Sequence, residues 1–239
     1  MTGYVARILP FSAVDGPGNR TVIFLQGCNL NCAYCHNPET IALAKDGNVP
    51  EGASAQTVDQ VIDQVMKYSL FISGVTISGG ECTVQFNFLM EVVKALKAKD
   101  LHVLIDTNGM VALDKLQQLM QVADGFMLDV KAYGEDVHKA LTGASNHNSK
   151  QTLDLLLLAD KLYEARTVIV PDLMDGKETV TYVAARIAAI DPAVRYKIIT
   201  YRSHGVRQEM KAHPSPSVED LQALKAMAEK IGCENVLLV

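Results

Sequence analysis

Thr21-Val22-Ile23-Phe24-Leu25-Gln26-Gly27-Cys28 is the stretch that decides the fold. A short apolar run closed by glycine reads as a buried strand. It runs directly into Asn29-Leu30-Asn31-Cys32-Ala33-Tyr34-Cys35-His36-Asn37, so the reactive side chains begin where the strand ends. The arrangement recurs along the chain. Gly74–Gly80 ends in Ser78-Gly79-Gly80-Glu81, His102–Gly109 in Asp106-Thr107-Asn108-Gly109, and Gly125–Ala132 carries Asp129-Val130-Lys131. Ala165–Pro171 and Arg195–Arg202 read as two further strands. Amphipathic patterns lie between them, at Thr57–Tyr68 (Val58, Val61, Ile62 and Val65 on one face), Phe88–Lys99, Leu113–Val122, Ser149–Leu162, Lys177–Ile190 and Ser217–Ile231. Lys45–Ala55 and Ser203–Ser217 read as loops. Six strand–helix units predict an α/β fold with parallel strands and right-handed crossovers. An open doubly wound sheet is the alternative to a partial (β/α)6 TIM-type barrel. Polar residues at the C-terminal ends of the strands favour the barrel, whose sites lie on that face.

At 239 residues the chain suits a single domain, 1–239, and 49% hydrophobic with 21% charged residues is the balance of an ordinary globular core. A formal net charge of −5 with no long basic run argues against a general nucleic-acid binder. The N-terminus lacks the charged-then-apolar layout of a signal peptide. The longest apolar run, near Leu153–Ala159, is far short of the roughly 20 residues that span a bilayer. The expected setting is cytoplasmic, without a membrane partner. Thiols stay reduced there, so clustered cysteines point to metal or redox chemistry.

Of five cysteines, Cys28, Cys32 and Cys35 fall within eight residues, while Cys82 and Cys233 are scattered. Soft thiolates select iron–sulfur clusters or zinc. Three at C-x3-C-x2-C can ligate three irons of a cube and leave the fourth open, an arrangement suited to catalysis. The alternative is structural zinc with His36 as fourth ligand, although adjacent Cys35 and His36 would strain a tetrahedral site.

C-x3-C-x-(aromatic)-C, with Tyr34 before the last cysteine, resembles the signature of radical S-adenosylmethionine (AdoMet) enzymes. Further motifs narrow the resemblance. Val14-Asp15-Gly16-Pro17-Gly18-Asn19-Arg20, Phe24–Cys28, Cys35-His36-Asn37-Pro38, Ser78–Glu81, Asp106–Gly109 and Met127-Leu128-Asp129-Val130-Lys131 together resemble the glycyl radical enzyme activating enzymes, typified by pyruvate formate-lyase activating enzyme. Ile8–Ser12, Phe71–Thr76, Leu141-Thr142-Gly143 and Ser203-His204-Gly205-Val206 are most similar to the YjjW branch. Many members of that branch carry an inserted ferredoxin-type segment. This chain has no cysteines for one.

The resemblance implies a [4Fe–4S] cluster on Cys28, Cys32 and Cys35, with AdoMet chelating the open iron. It implies AdoMet contacts from Tyr34 and Asn37, and from Gly79, Gly80 and Glu81, the last accepting from the ammonium group. Asp129 and Lys131 would serve AdoMet too, with Arg202 at the end of the last strand or His204 two residues beyond it. A monovalent cation, Na+ or K+, would take Asp106, Thr107, Asp129 and the Met127 carbonyl. Asp15 and Arg166 would meet the substrate loop. Plain structural roles stand beside these: a β–α turn for Gly79–Glu81, turn capping for Asp106 and Asp129, an ion pair for Lys131 or Arg166, and simple burial for Cys82. The implied reaction is hydrogen abstraction by a 5′-deoxyadenosyl radical from a glycine of a partner glycyl radical enzyme, pyruvate formate-lyase-like or YjjI-like. Flavodoxin or ferredoxin would donate the electron to a monomeric oxidoreductase. Two alternatives stay open: a radical AdoMet enzyme acting on a small molecule, of the carboxy-deazaguanine synthase type, and a zinc-stabilised binding protein.

Overall fold

The computed structural model describes residues 1–44 and 48–239; residues 45–47, part of the expected Lys45–Ala55 loop, lie outside the described residues. The chain forms two compact units. One comprises Met1–Asn29, Glu39–Thr107 and Val111–Phe126, the other Leu30–Pro38, Asn108–Met110 and Met127–Val239.

In the first unit β2 (Arg20–Leu25) is buried along its whole length, and its Val22–Leu25 part reads as an apolar run. It pairs in parallel with β4 (Gly74–Gly79), from Arg20 opposite Gly74 to Leu25 opposite Gly79. β4 pairs in parallel with β5 (Val103–Thr107). Ahead of them β1 (Thr2–Ser12) runs antiparallel to β2 and to β3 (Ser54–Thr57). These two antiparallel strands were not expected. β1 contains Pro10 and from Arg7 to Phe11 alternates exposed with half-buried positions, so its pattern is weaker than that of a central strand. Thr57 ends β3 and caps α1 (Val58–Met66): Gln60 N–H donates to its hydroxyl, and its own N–H donates to Gln60 Oε1 at 2.8 Å. α1 buries Val61, Ile62 and Val65. α2 (Phe86–Lys97) buries six apolar side chains. α3 (Leu113–Met120) is anchored by Leu116 and Leu119.

β6 (Gly125–Asp129) carries the chain from the first unit into the second. There α4 (Glu135–Thr142) and α5 (His147–Leu158) lead to β7 (Leu162–Ile169), which pairs in parallel with β8 (Arg195–Thr200). α6 (Gly176–Ile190) is capped by Asp175, and α7 (Val218–Ile231) by Ser217 as its sequence indicates. β9 (Val236–Leu238) adds a further parallel strand beside β8. α4 was not expected because its buried positions are His138, Leu141 and Thr142, two of them polar, so no apolar period marks it.

The six expected strands are all present, as β2, β4, β5, β6, β7 and β8, each followed by helix before the next. The class is mixed α/β built from six βα units. No helix among the described residues is long and apolar enough to cross a membrane.

Candidate functional site

In the first unit the ends of β2, β4 and β5 are tied together by backbone. Gly27 N–H donates to the Thr40 carbonyl at 2.8 Å, Cys28 N–H to Ile41 at 3.1 Å, and Glu81 N–H to Gly27 at 2.9 Å. This close weave explains the glycine pair. Gly79 has φ +144°, and a Cβ there would stand 2.1 Å from the Leu25 carbonyl oxygen. A Cβ on Gly80 would lie 2.6 Å from both the Gly27 and Thr40 carbonyl oxygens. Both glycines are therefore required by the chain's own packing.

Glu81 follows, and only 1% of it is exposed. Its Oε1 accepts from Thr83 N–H at 3.1 Å, the Thr83 hydroxyl at 2.6 Å and the Thr107 hydroxyl at 2.9 Å. The Ser78 hydroxyl donates to Asp106 Oδ2 at 2.9 Å. The structure thus joins Ser78 and Glu81 on one strand end to Asp106 and Thr107 on the next. Cys82 is buried between them, its thiol 3.5 Å from the Asp106 carbonyl oxygen. Burial first, then the charges of Glu81 and Asp106, push that thiol well above its ordinary pKa. It is a protonated, hydrogen-bonded thiol, as the reading of simple burial requires.

Asp15 lies at the other end of these strands. Its carbonyl accepts from the Thr76 hydroxyl near the start of β4, and its carboxylate accepts from the Ser12 hydroxyl. Arg20, from the same motif, is fully buried: its guanidinium donates to the Thr76 hydroxyl at 2.8 Å and to the carbonyls of Val75 and His102. The motif locks the N-terminal ends of β2, β4 and β5, a strand's length from Cys28 and Glu81 in the same unit.

In the second unit the cysteine loop hangs on two neighbours. Asn31 N–H and Ala33 N–H donate to the carbonyls of Thr142 and Leu141, at 2.9 and 2.8 Å, which gives the Leu141-Thr142-Gly143 motif a physical role at the end of α4. His36 Nε2 lies 3.0 Å from the Arg202 carbonyl oxygen, and Arg207 donates to Asn31 Oδ1. Arg202 and His204 themselves have exposed side chains, and Asn37 is half-buried. Cys32 is buried and Cys35 half-exposed, its N–H closing a turn onto the Cys32 carbonyl. Burial raises the Cys32 thiol pKa, and the Lys131 ammonium works against that rise, favouring thiolate.

Lys131 is the electrostatic centre of this unit. Its Nζ is 2.7 Å from Asp129 Oδ2 and 5.8 Å from the centre of the Tyr34 ring. Burial alone would lower the lysine; the Asp129 carboxylate outweighs it and holds the pKa well up. Burial likewise pushes Asp129 up, and Lys131 and Arg166 together bring it below its ordinary value. Tyr34 is buried, and its hydroxyl has no hydrogen-bond partner among the described residues. Arg166 donates from Nε to Glu164 at 2.6 Å and from Nη2 to Met127 Sδ at 2.9 Å. Cys32, Tyr34, Met127, Asp129, Lys131 and Arg166 are thereby brought together. Glu164 was missed, because the strand reads from the sequence as beginning only at Ala165, whereas β7 begins at Leu162.

The donor set fits an iron–sulfur cluster with one open iron. Three soft thiols share one eight-residue loop, and the two remaining cysteines are withdrawn, Cys82 as above and Cys233 buried with its thiol 3.5 Å from the Ala184 carbonyl oxygen. Among the described residues no three His, Cys, Asp or Glu side chains are gathered around a point where a single metal ion could sit. The side-chain oxygens suggested for a monovalent cation have protein partners: Asp106 with Ser78, Thr107 with Glu81, and Asp129 with Lys131.

The sequence profile of the Radical SAM superfamily matches residues 22–181. A Haemophilus influenzae protein provisionally named as a glycyl-radical enzyme activating enzyme is 36% identical, over 98% of this chain and 95% of its own. The pyruvate formate-lyase-activating enzyme of Streptococcus mutans is 34% identical, over 86% of this chain and 80% of its own. Among solved structures, QueE from Escherichia coli superposes with a TM-score of 0.62 at 12% identity, covering 100% of this chain and 94% of that one, which is a likeness of fold.

Proposed function

Because the chain belongs to the glycyl radical enzyme activating enzymes of the radical SAM superfamily, we propose that Cys28, Cys32 and Cys35 hold its [4Fe–4S] cluster and that AdoMet binds at the remaining iron. When bound, the cluster would supply one electron to AdoMet, the chemistry by which hydrogen would be taken from the Cα of a glycine in the partner enzyme. The residues of this chain bind and orient, and positioning is the larger part of such catalysis. Lys131, held charged by Asp129, stabilises the Cys32 thiolate and offers a cation to the AdoMet carboxylate. Tyr34 presents a buried ring and an unpartnered hydroxyl beside that cation. Glu81 accepts from the AdoMet ammonium, with Gly79 and Gly80 shaping the turn that carries it. Asn37 and the segment Arg202–His204 complete the AdoMet contacts. Arg166 stands by Asp129 and Met127, facing AdoMet and the incoming glycine loop. Asp15 contributes to holding the partner from the opposite strand ends.

The finer features are part of the same proposal. Na+ or K+ would take oxygens of Asp106, Thr107 and Asp129 and the Met127 carbonyl as ligands, with Asp129 keeping its pair with Lys131. A flavodoxin or ferredoxin supplies the electron to a cytoplasmic monomer.

The observation that carries the reading is the buried Cys32 set against the Asp129–Lys131 pair, on a loop clasped by α4. Anaerobic reconstitution tests it. The expected product is a brown protein with about four irons per chain; a colourless protein with one zinc overturns it.

A further inference from the structure

Glu164 on β7 is fully buried and is met by three cations: Arg166 Nε at 2.6 Å, Lys197 Nζ at 3.1 Å and Arg195 Nη1 at 3.7 Å. Parallel register sets Glu164 beside Arg195 and Arg166 beside Lys197, and the two-residue period of a strand puts all four on one face of β7 and β8. A buried carboxylate is costly without such partners. Here it has them, and one of the three is fixed at more than one point. The Arg166 guanidinium gives Nε–H to Glu164 and Nη2–H to Met127 Sδ, and its own backbone carbonyl accepts from Val130 N–H at 2.8 Å. A guanidinium is a rigid plane, so two fixed N–H groups define its orientation. That orientation turns Arg166 towards β6, where its charge acts on Asp129.

We propose that Glu164 is a positioning residue: its carboxylate anchors the Nε edge of Arg166 so that the guanidinium presents to AdoMet in one fixed orientation. The inference rests on the activase reading above, in which Arg166 faces AdoMet. It assigns Glu164 no contact with the cofactor. Lys197 and Arg195 meet the other carboxylate oxygen, Oε2, and leave Oε1 to the Nε edge of Arg166.

Titration calorimetry of AdoMet into anaerobically reconstituted protein, without turnover, tests the proposal. Glu164→Gln and Arg166→Ala are each expected to weaken AdoMet binding about tenfold, the scale of a lost charge-assisted hydrogen bond. The double variant should be no weaker than Arg166→Ala alone, because residues acting as one unit are not additive. Losses that multiply in the double variant, or an E164Q protein that binds like the parent, overturn it. Should E164Q fail to fold, Arg166→Lys decides: it keeps the charge beside Glu164 but loses the planar fork, and wild-type affinity in that variant refutes the proposal. A parent protein with four irons that binds no AdoMet refutes instead the activase reading on which the inference stands.

Discussion

Two buried polar groups behave oppositely, and their contrast is testable one residue at a time. Glu81 Oε1 collects three donors in a place with almost no solvent. Glu81→Ala removes the acceptor that these donors share and leaves them buried and unmatched. A buried group so mismatched costs about 1–3 kcal/mol, so the urea midpoint of the unreconstituted protein should fall; an unchanged midpoint contradicts the network. The Tyr34 hydroxyl is the reverse case, buried with no partner. Its burial already costs the fold, on the order of 1 kcal/mol or more. Tyr34→Phe should therefore melt at the same or a higher temperature, and a clear drop would mean that the hydroxyl is satisfied. Much of the site was legible at this scale. Cys28, Cys32, Cys35, Glu81 and Lys131 announce themselves by spacing and by standing where strands end. Glu164 does not, since its burial appears only when β8 lays Lys197 and Arg195 beside it.

Elements were legible where apolar period and burial coincide. β2 is buried on both faces and its Val22–Leu25 part reads as an apolar run, and the α1 and α7 caps are visible in Thr57 and Ser217. α4 was illegible because its buried face is partly polar: His138 Nδ1 lies 2.7 Å from the Ala144 carbonyl oxygen, and the Thr142 hydroxyl bonds back to the His138 carbonyl. Asp15 is legible in a different way. It precedes β2, so chain order alone puts it at the strand's N-terminal end. Asp124 joins elements within the first unit, accepting from Val103 N–H at the start of β5 and from Lys97 at the end of α2. Burial pushes its carboxyl up, but Lys97 and the Val103 N–H outweigh this and hold it below the ordinary range. A depressed carboxylate gives stability that is present above its unfolded pKa and is lost as pH falls through its folded one. Asp124→Asn should cost roughly 1–2 kcal/mol near pH 7. The gap from the parent should close as the pH drops below about 4. Thermal melts of both proteins from pH 7 to pH 3 check this; a gap that persists unchanged at pH 3 contradicts it.

For the molecule as a whole, six βα units with reactive groups at strand ends indicate the class, and the cysteine loop together with the strand-end motifs indicates the family. The antiparallel strands β1 and β3 and the helix α4 lay outside that pattern. They supply support: β1 and β3 extend the strand set of the first unit, and α4 clasps the cysteine loop. The function is a property of the whole chain meeting another protein, since the hydrogen that is removed belongs to a glycine of the partner. The most direct test incubates the reconstituted protein anaerobically with AdoMet, a flavodoxin-level reductant and glycyl radical enzymes beginning with pyruvate formate-lyase, and follows the sample by electron paramagnetic resonance. The account predicts the doublet of a glycyl radical on one partner, accompanied by 5′-deoxyadenosine, and neither with the Cys32→Ala protein. Deoxyadenosine without a doublet on any glycyl radical enzyme, or a doublet that survives Cys32→Ala, contradicts it.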